Sequence, residues 1–346
     1  MTAAVLIEAF SAAACAGNGA AVVRLEQAWP EERLQALAGS LRQSETAFLL
    51  PVDGHWLLRW FTPVCEVPLC GHATLAAVLA LGHWRALRPG EGVRFHTRSG
   101  PLAAQLEAAA TAAAAAAGSI DLPGGSLQPA ATPAALERRL QDRGLGPVLQ
   151  FWTSALGYAV ALLPDRAPLA QQRGLAEEIP PDLSRGLVLM QAATAGSHEH
   201  GAAGPAQLAG RAVDYRLRFF APGLGIPEDP VTGSAHALIS AWWQQRLGRT
   251  TVVGWQCSDR PGGVVSQGLS SGMIRLFGSG HLLWDGTLHL ESPDPDNPGA
   301  AAGPCSAAPA APWPDSAANL SSGPSSAPPP LASALPNGWR DLLPAG

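Results

Sequence analysis

The stretch Arg59-Trp60-Phe61-Thr62-Pro63, then a loop, then Gly71-His72-Ala73-Thr74-Leu75, has a second copy downstream. There it reads Arg218-Phe219-Phe220-Ala221-Pro222, a loop, and Gly233-Ser234-Ala235-His236-Ala237. Each copy is strand, proline-bearing loop, glycine and helix, with the helix ending near tryptophan, at Trp84 and at Trp242-Trp243. The loop is 3 residues longer in the second copy, Pro63 to Gly71 being 8 and Pro222 to Gly233 being 11. Two such units predict duplicated domains about a pseudo-two-fold axis, with the site at their seam.

Working outward, strand and helix patterns alternate. Pro30 followed by Glu31 and Glu32 opens a helix that ends near Gln43, because proline and acids suit a helix N-terminus. Thr46–Leu50 and His55–Phe61 read as strands around the turn Pro51-Val52-Asp53-Gly54, and Ala73–Trp84 as the next helix. Strands follow at Val93–Arg98 and from Leu102. The second half predicts strands near Leu149–Trp152, Gly157–Leu163, Leu187–Ala192 and Val213–Phe220, a helix over Ser234–Gln245, and short strands at Thr251–Gln256, Gly263–Gln267, Met273–Phe277 and Leu282–Leu290. Mixed sheet with few helices is an α/β or α+β pattern.

Two compositional breaks bound the expected domains: 1–106, an alanine-rich linker or insertion at 107–118, 119–291, and a Pro/Ser/Ala-rich tail at 292–346. The tail reads as disordered, since so few large apolar residues cannot offset the entropy of ordering.

All 22 basic residues are arginine, which removes Schiff-base chemistry and lysine-bearing phosphate loops. A net charge of -5 offers nothing to nucleic acid. No apolar run reaches the length of a membrane span, and no basic region precedes the apolar Val5-Leu6-Ile7, so neither a membrane nor a secretory leader is expected. The 5 cysteines have no zinc spacing and no disulfide framework, which predicts free thiols and a cytoplasmic protein.

Proton chemistry then falls to carboxylates, histidines and thiols. Gly71 and Gly233 each open a helix, where unpaired backbone N–H groups attract an anion; two such termini converging would clamp a substrate carboxylate. Glu45 stands between a helix and an apolar strand, a position that turns its carboxyl toward a dry cleft, although a glutamate at a helix end is more often solvated. His72, in the first turn of its helix, would be held neutral by the dipole; a lone histidine is more often a surface or capping residue. Asp229 precedes the second helix, where its plain role is capping.

The strings Gly17-Asn18-Gly19-Ala20-Ala21-Val22-Val23, Ser44-Glu45-Thr46-Ala47-Phe48, Arg59-Trp60-Phe61-Thr62-Pro63, Cys70-Gly71-His72-Ala73-Thr74-Leu75-Ala76, and Phe220-Ala221-Pro222 with Glu228-Asp229-Pro230-Val231-Thr232-Gly233-Ser234-Ala235-His236 resemble the phenazine-biosynthesis PhzF-like isomerases in order and spacing. The resemblance spans about Leu6 to Leu290. It implies an α+β fold like diaminopimelate epimerase: two similar domains, each a curved, barrel-like mixed sheet wrapped around a central helix. It also implies an isomerase of a small cyclic or unsaturated carboxylic acid, a homodimer working without metal or organic cofactor. Carried over, Glu45 would be the acid/base, His72 and Asp229 would assist proton transfer or orient substrate, and Gly71, Gly233 and Ser234 would hold its carboxylate. Gly19 stands where the family usually has proline, and Cys257 where glycine is common.

Two alternatives stay open. A thiol-dependent epimerase or racemase of the same fold would use Cys70, placed for a lowered pKa at a helix N-terminus; the second copy offers Asp229 in place of a partner thiol. A non-catalytic small-acid-binding protein is the other. The substrate and pathway are not written in the sequence.

Overall fold

A computed structural model describes residues 2–11, 13–108, 116–193, 207–289, 335–336 and 338–343. The chain forms two compact units: Met1–Ala9, Gly19–Ile120 and Gly280–Gly346 in the first, Phe10–Asn18 and Asp121–Ser279 in the second.

The first unit contains β1 (Thr2–Ala9), β2 (Asn18–Arg24), α1 (Glu31–Leu41), β3 (Glu45–Val52), β4 (His55–Phe61), β5 (Glu66–Val67), α2 (Gly71–His83), β6 (Gly92–Thr97), β7 (Gly100–Leu106) and most of β8 (Ala116–Pro123). β2 and β3 pair in parallel, β3 and β4 antiparallel, β4 and β6 in parallel, and β6–β7 and β7–β8 antiparallel, with β5 a short antiparallel partner of β4. The β3–β4 turn is tight because Asp53 and Gly54 both take positive φ, 47° and 82°. Every residue of α2 from Gly71 to Leu81 is buried. A helix apolar on every side must be buried on every side, and α2 packs against β1, β3 and β7.

The second unit carries β9 (Leu127–Pro129), α3 (Ala134–Asp142), β10 (Gln150–Ser154), β11 (Ala159–Leu162), β12 (Leu187–Ala192), the small pair β13 (Gln207–Leu208) and β14 (Arg211–Ala212), then β15 (Tyr215–Ala221), β16 (Ile226–Asp229), α4 (Gly233–Leu247), β17 (Thr251–Gln256), β18 (Gly262–Gly268) and the start of β19 (Met273–Leu288). Its ladder repeats the first: β11–β12 parallel, β12–β15 antiparallel, β15–β17 parallel, β17–β18 and β18–β19 antiparallel, with short β16 antiparallel to β15. Ala235, Leu238, Ile239 and Trp243 of α4 fill the core with Val160, Val188, Met190, Tyr215 and Leu217.

The repeat also carries an ion pair that the sequence reading missed. Arg59 holds Glu66 through two hydrogen bonds of 2.7 Å, and Arg218 holds Glu228 through bonds of 2.6 and 2.5 Å. The spacings, 7 and 10 residues, differ by the same 3 residues as the loops. Both guanidiniums are buried, so each two-pronged pair meets the charge that burial would otherwise strand.

Three expectations are corrected. The alanine run is no inter-domain link: its described flanks pair as the β7–β8 hairpin, Leu106 opposite Gly118, while residues 109–115 lie outside the described residues. The boundary at 291 is replaced because β19 continues through Gly278-Ser279-Gly280 and its end pairs with β1, from Ala9 opposite Gly280 to Thr2 opposite Leu288. Those glycines do not make a turn; a Cβ on Gly280 would stand 2.5 Å from Leu79 Cδ1, so glycine is what lets α2 lie close to the strand.

The third concerns the tail. Residues 290–334 lie outside the described residues, but Trp339 is fully buried and Leu342 nearly so, in a cluster with Trp29, Leu34, Leu37 and Phe61. Trp339 Nε1 donates to the Trp29 carbonyl at 2.9 Å, and the Arg59 guanidinium lies 5.3 Å from its ring. A tryptophan with a hydrogen-bonded indole belongs in a core even when the preceding forty residues lack apolar bulk.

Candidate active site

In the first unit the site is built at the start of β3 and the N-terminus of α2. β3 runs parallel to β2, with Glu45 opposite Ala20, which places Glu45 and Ser44 at the strand end. Cys70 is the residue before α2, in extended conformation, and no side chain caps the helix.

Glu45, Cys70 and His72 are all buried here. His72 Nε2 lies 3.0 Å from Glu45 Oε2 and 3.1 Å from Ser44 Oγ. Ser44 Oγ also lies 2.9 Å from the Gly19 carbonyl, to which it donates. Cys70 Sγ sits 3.4 Å from His72 Nδ1.

Charge in this cluster departs from expectation. Burial alone would lower the His72 pKa, but the Cys70 sulfur and the Glu45 carboxylate outweigh it and hold the imidazole well above its ordinary value. The helix dipole does not keep it neutral, because a carboxylate in direct contact acts at shorter range. Burial, then the Glu45 charge, pushes the Cys70 thiol up to about 11 against the pull of His72, so Cys70 is not the lowered-pKa thiol that its position suggested. His72 should accordingly titrate, in an NMR pH series, above the usual value of about 6.5. The raised pKa stabilises the fold below that unfolded-state value, and this contribution is lost as pH rises through the folded one. Glu45→Gln should bring the midpoint down; an unchanged midpoint would mean that Glu45 does not set the charge on His72.

In the second unit, Asp229 ends β16. Its Oδ1 accepts from Asn18 Nδ2 at 2.7 Å and its Oδ2 from Thr232 Oγ1 at 2.5 Å. Gln256 ties the turn together, donating to the Asp229 carbonyl at 2.6 Å and accepting from the Thr232 amide at 2.8 Å. Asp229 stands three residues before the cap position of α4, which Thr232 occupies without a side-chain cap hydrogen bond. Ser234 Oγ lies 3.2 Å from the Tyr158 hydroxyl.

Residues 7–266 match the family model described as phenazine biosynthesis-like protein, PhzC-PhzF. The chain belongs to this family. An uncharacterized isomerase of Pseudomonas aeruginosa is 34% identical over 286 residues, 82% of this chain and 97% of that protein. A PhzF-family structure from Enterococcus faecalis is 28% identical, with a TM-score of 0.69 over 84% of this chain and 99% of that one. A hydroxyproline epimerase of Agrobacterium vitis, solved with trans-4-hydroxy-L-proline bound, is 13% identical with a TM-score of 0.52 over 84% of this chain and 93% of that one, a likeness of fold alone. The fold is the α+β one of PhzF proteins and these epimerases, and the activity class at family level is isomerase.

Against the PhzF motifs, the first unit brings together Glu45, Gly71 and His72, and the second brings together Asp229, Gly233 and Ser234. Sequence reasoning did not single out Ser44, Asn18, Thr232 or Gln256. The first three stand inside strings quoted for the resemblance, beside Glu45, Gly19 and Gly233, so adjacency was the available signal. Cys257, the departure noted above, is buried; burial pushes its thiol up to about 12.

No helix among the described residues is long and apolar enough to cross a membrane. Among the described residues, Cys70 and Cys257 are buried thiols outside any disulfide.

Proposed function

We propose that this PhzF-family protein is an isomerase that moves a proton within a small cyclic or unsaturated carboxylic acid, with Glu45 as the proton carrier. The reading rests on one observation above the others: a buried carboxylate 3.0 Å from a buried imidazole, beside the uncapped N-terminus of α2. A carboxylate in such a place can take a proton from the carbon next to an acid or unsaturated group and return it to another carbon. His72, carrying positive charge, steadies the carboxylate before transfer and the developing negative charge during it. The backbone N–H of Gly71, and Gly233 with the Ser234 hydroxyl, are assigned to the substrate carboxylate, and Asp229 to orienting the substrate. Because substrate unsaturation can delocalise the charge, the proposed route uses no metal or organic cofactor. A cytoplasmic homodimer belongs to the same reading. A mechanism using Cys70 as base ranks below it, since a thiol pushed up to about 11 carries little thiolate at neutral pH.

Incubating the purified protein in heavy water with a panel of dihydroaromatic and unsaturated carboxylic acids tests the proposal. Deuterium should appear at carbon in at least one acid, read by mass spectrometry and NMR. If none of the panel exchanges while one of them binds, the small-acid-binding alternative takes its place.

A further inference from the structure

The proton-transfer reading leaves the Cys70 thiol without work. Yet the Cys70 sulfur, one His72 nitrogen and one Glu45 oxygen all lie within 4.8 Å of one another, and all three residues are buried. His72 Nε2 is 3.0 Å from Glu45 Oε2 and 3.9 Å from Cys70 Sγ. Bonds of about 2.0–2.1 Å to nitrogen or oxygen and about 2.3 Å to sulfur put the ligand atoms of a tetrahedral zinc ion roughly 3.3–3.6 Å apart. The two spacings from His72 bracket that range and the third, from sulfur to carboxylate, is at most 4.8 Å, so side-chain rotation would close the set around one ion.

A second observation points the same way. Glu45 Oε2 is buried and no hydrogen bond of good alignment satisfies it, its near neighbour being the His72 nitrogen 3.0 Å away. One sulfur, one nitrogen and one oxygen suit a borderline-soft ion and do not suit magnesium or calcium, which take oxygen ligands. Thiolate and carboxylate together balance a dication, and they offset the unfavourable positive end of the α2 dipole. Three protein ligands leave a fourth position for water or a substrate oxygen.

We infer that Glu45, Cys70 and His72 form a binding site for one zinc-class divalent cation, and that the bound ion shuts off proton transfer by occupying the carboxylate and imidazole. The inhibition half rests on the function proposed above; the binding half does not. Binding displaces the protons that the thiol and the imidazole hold, so proton release accompanies it. No bond in a substrate changes in this step, and no oxidant or reductant is involved.

Cobalt(II) titration of the full-length, chelator-treated protein tests the binding half. One equivalent should give the intense visible bands of a tetrahedral ion and a near-ultraviolet thiolate-to-cobalt absorption, both displaced by zinc. Cys70→Ser should remove the thiolate band, and Glu45→Gln should weaken binding by more than the about 10–100-fold that outer-shell losses cost. Cys15→Ser, which removes an exposed thiol, should change nothing. Absence of the thiolate band in the wild type, or its survival in Cys70→Ser, overturns the site. Zinc should also suppress deuterium exchange in the wild type. Exchange that continues with the ion bound overturns the inhibition half and the Glu45 assignment together; exchange without any metal binding overturns the metal site and leaves the Glu45 assignment standing.

Discussion

Glu45→Gln is expected to lower solvent deuterium incorporation about 10²–10⁴-fold, the usual worth of a positioned acid/base, while the protein still binds the acid. Glutamine keeps the size and one acceptor oxygen but cannot carry the proton. The substitution also removes the negative partner of His72, so the imidazole should titrate lower in the variant. Measuring exchange and binding on one sample separates the outcomes. Lost exchange with retained binding supports Glu45 as the carrier, and exchange at the wild-type rate removes it from the mechanism. Should Cys70→Ala abolish exchange when Glu45→Gln does not, the thiol mechanism replaces the carboxylate one.

Trp339→Ala is expected to destabilise the first unit by about 3–5 kcal/mol, the range for emptying a buried aromatic site. The indole is fully buried among Trp29, Leu34, Leu37 and Phe61, and its loss would also leave the Trp29 carbonyl without the Nε1 donor. Hydrogen exchange at the α1 amides, read beside urea unfolding, would localise the effect to this unit. The neighbouring exposed Asp341 provides the control, since Asp341→Asn should stay within about 0.5 kcal/mol. Equal protection in Trp339→Ala and wild type would show that the C-terminal residues do not dock in solution.

What the sequence made legible was whatever rests on local pattern. The duplicated strand–loop–helix units, the helix termini at Gly71 and Gly233, and the placing of Glu45 at the head of an apolar strand follow from neighbours along the chain. Contacts between distant segments were out of reach. His72 reads as neutral from its helix position, but the Cys70 sulfur and the Glu45 carboxylate, the latter 27 residues earlier in the chain, raise its pKa. Asp229 reads as a cap, and nothing local announces that Asn18, far away in sequence, donates to one of its oxygens. Helix α3 was overlooked because its apolar stripe is just Leu136 and Leu140, embedded in a proline- and alanine-rich stretch. Trp339 was lost in the average composition of its surroundings, since its burial depends on a groove built by residues three hundred positions away.

The path of the chain has a consequence for synthesis. It passes from one unit to the other at 9/10, 18/19, 120/121 and 279/280. Everything the second unit needs has left the ribosome once Ser279 emerges, whereas the first unit still waits for the strand that pairs with β1 and for the residues that bring Trp339. The usual vectorial order, N-terminal region first, is therefore inverted here. The half that holds Glu45 and His72 is begun first and completed last, and no contiguous fragment contains it.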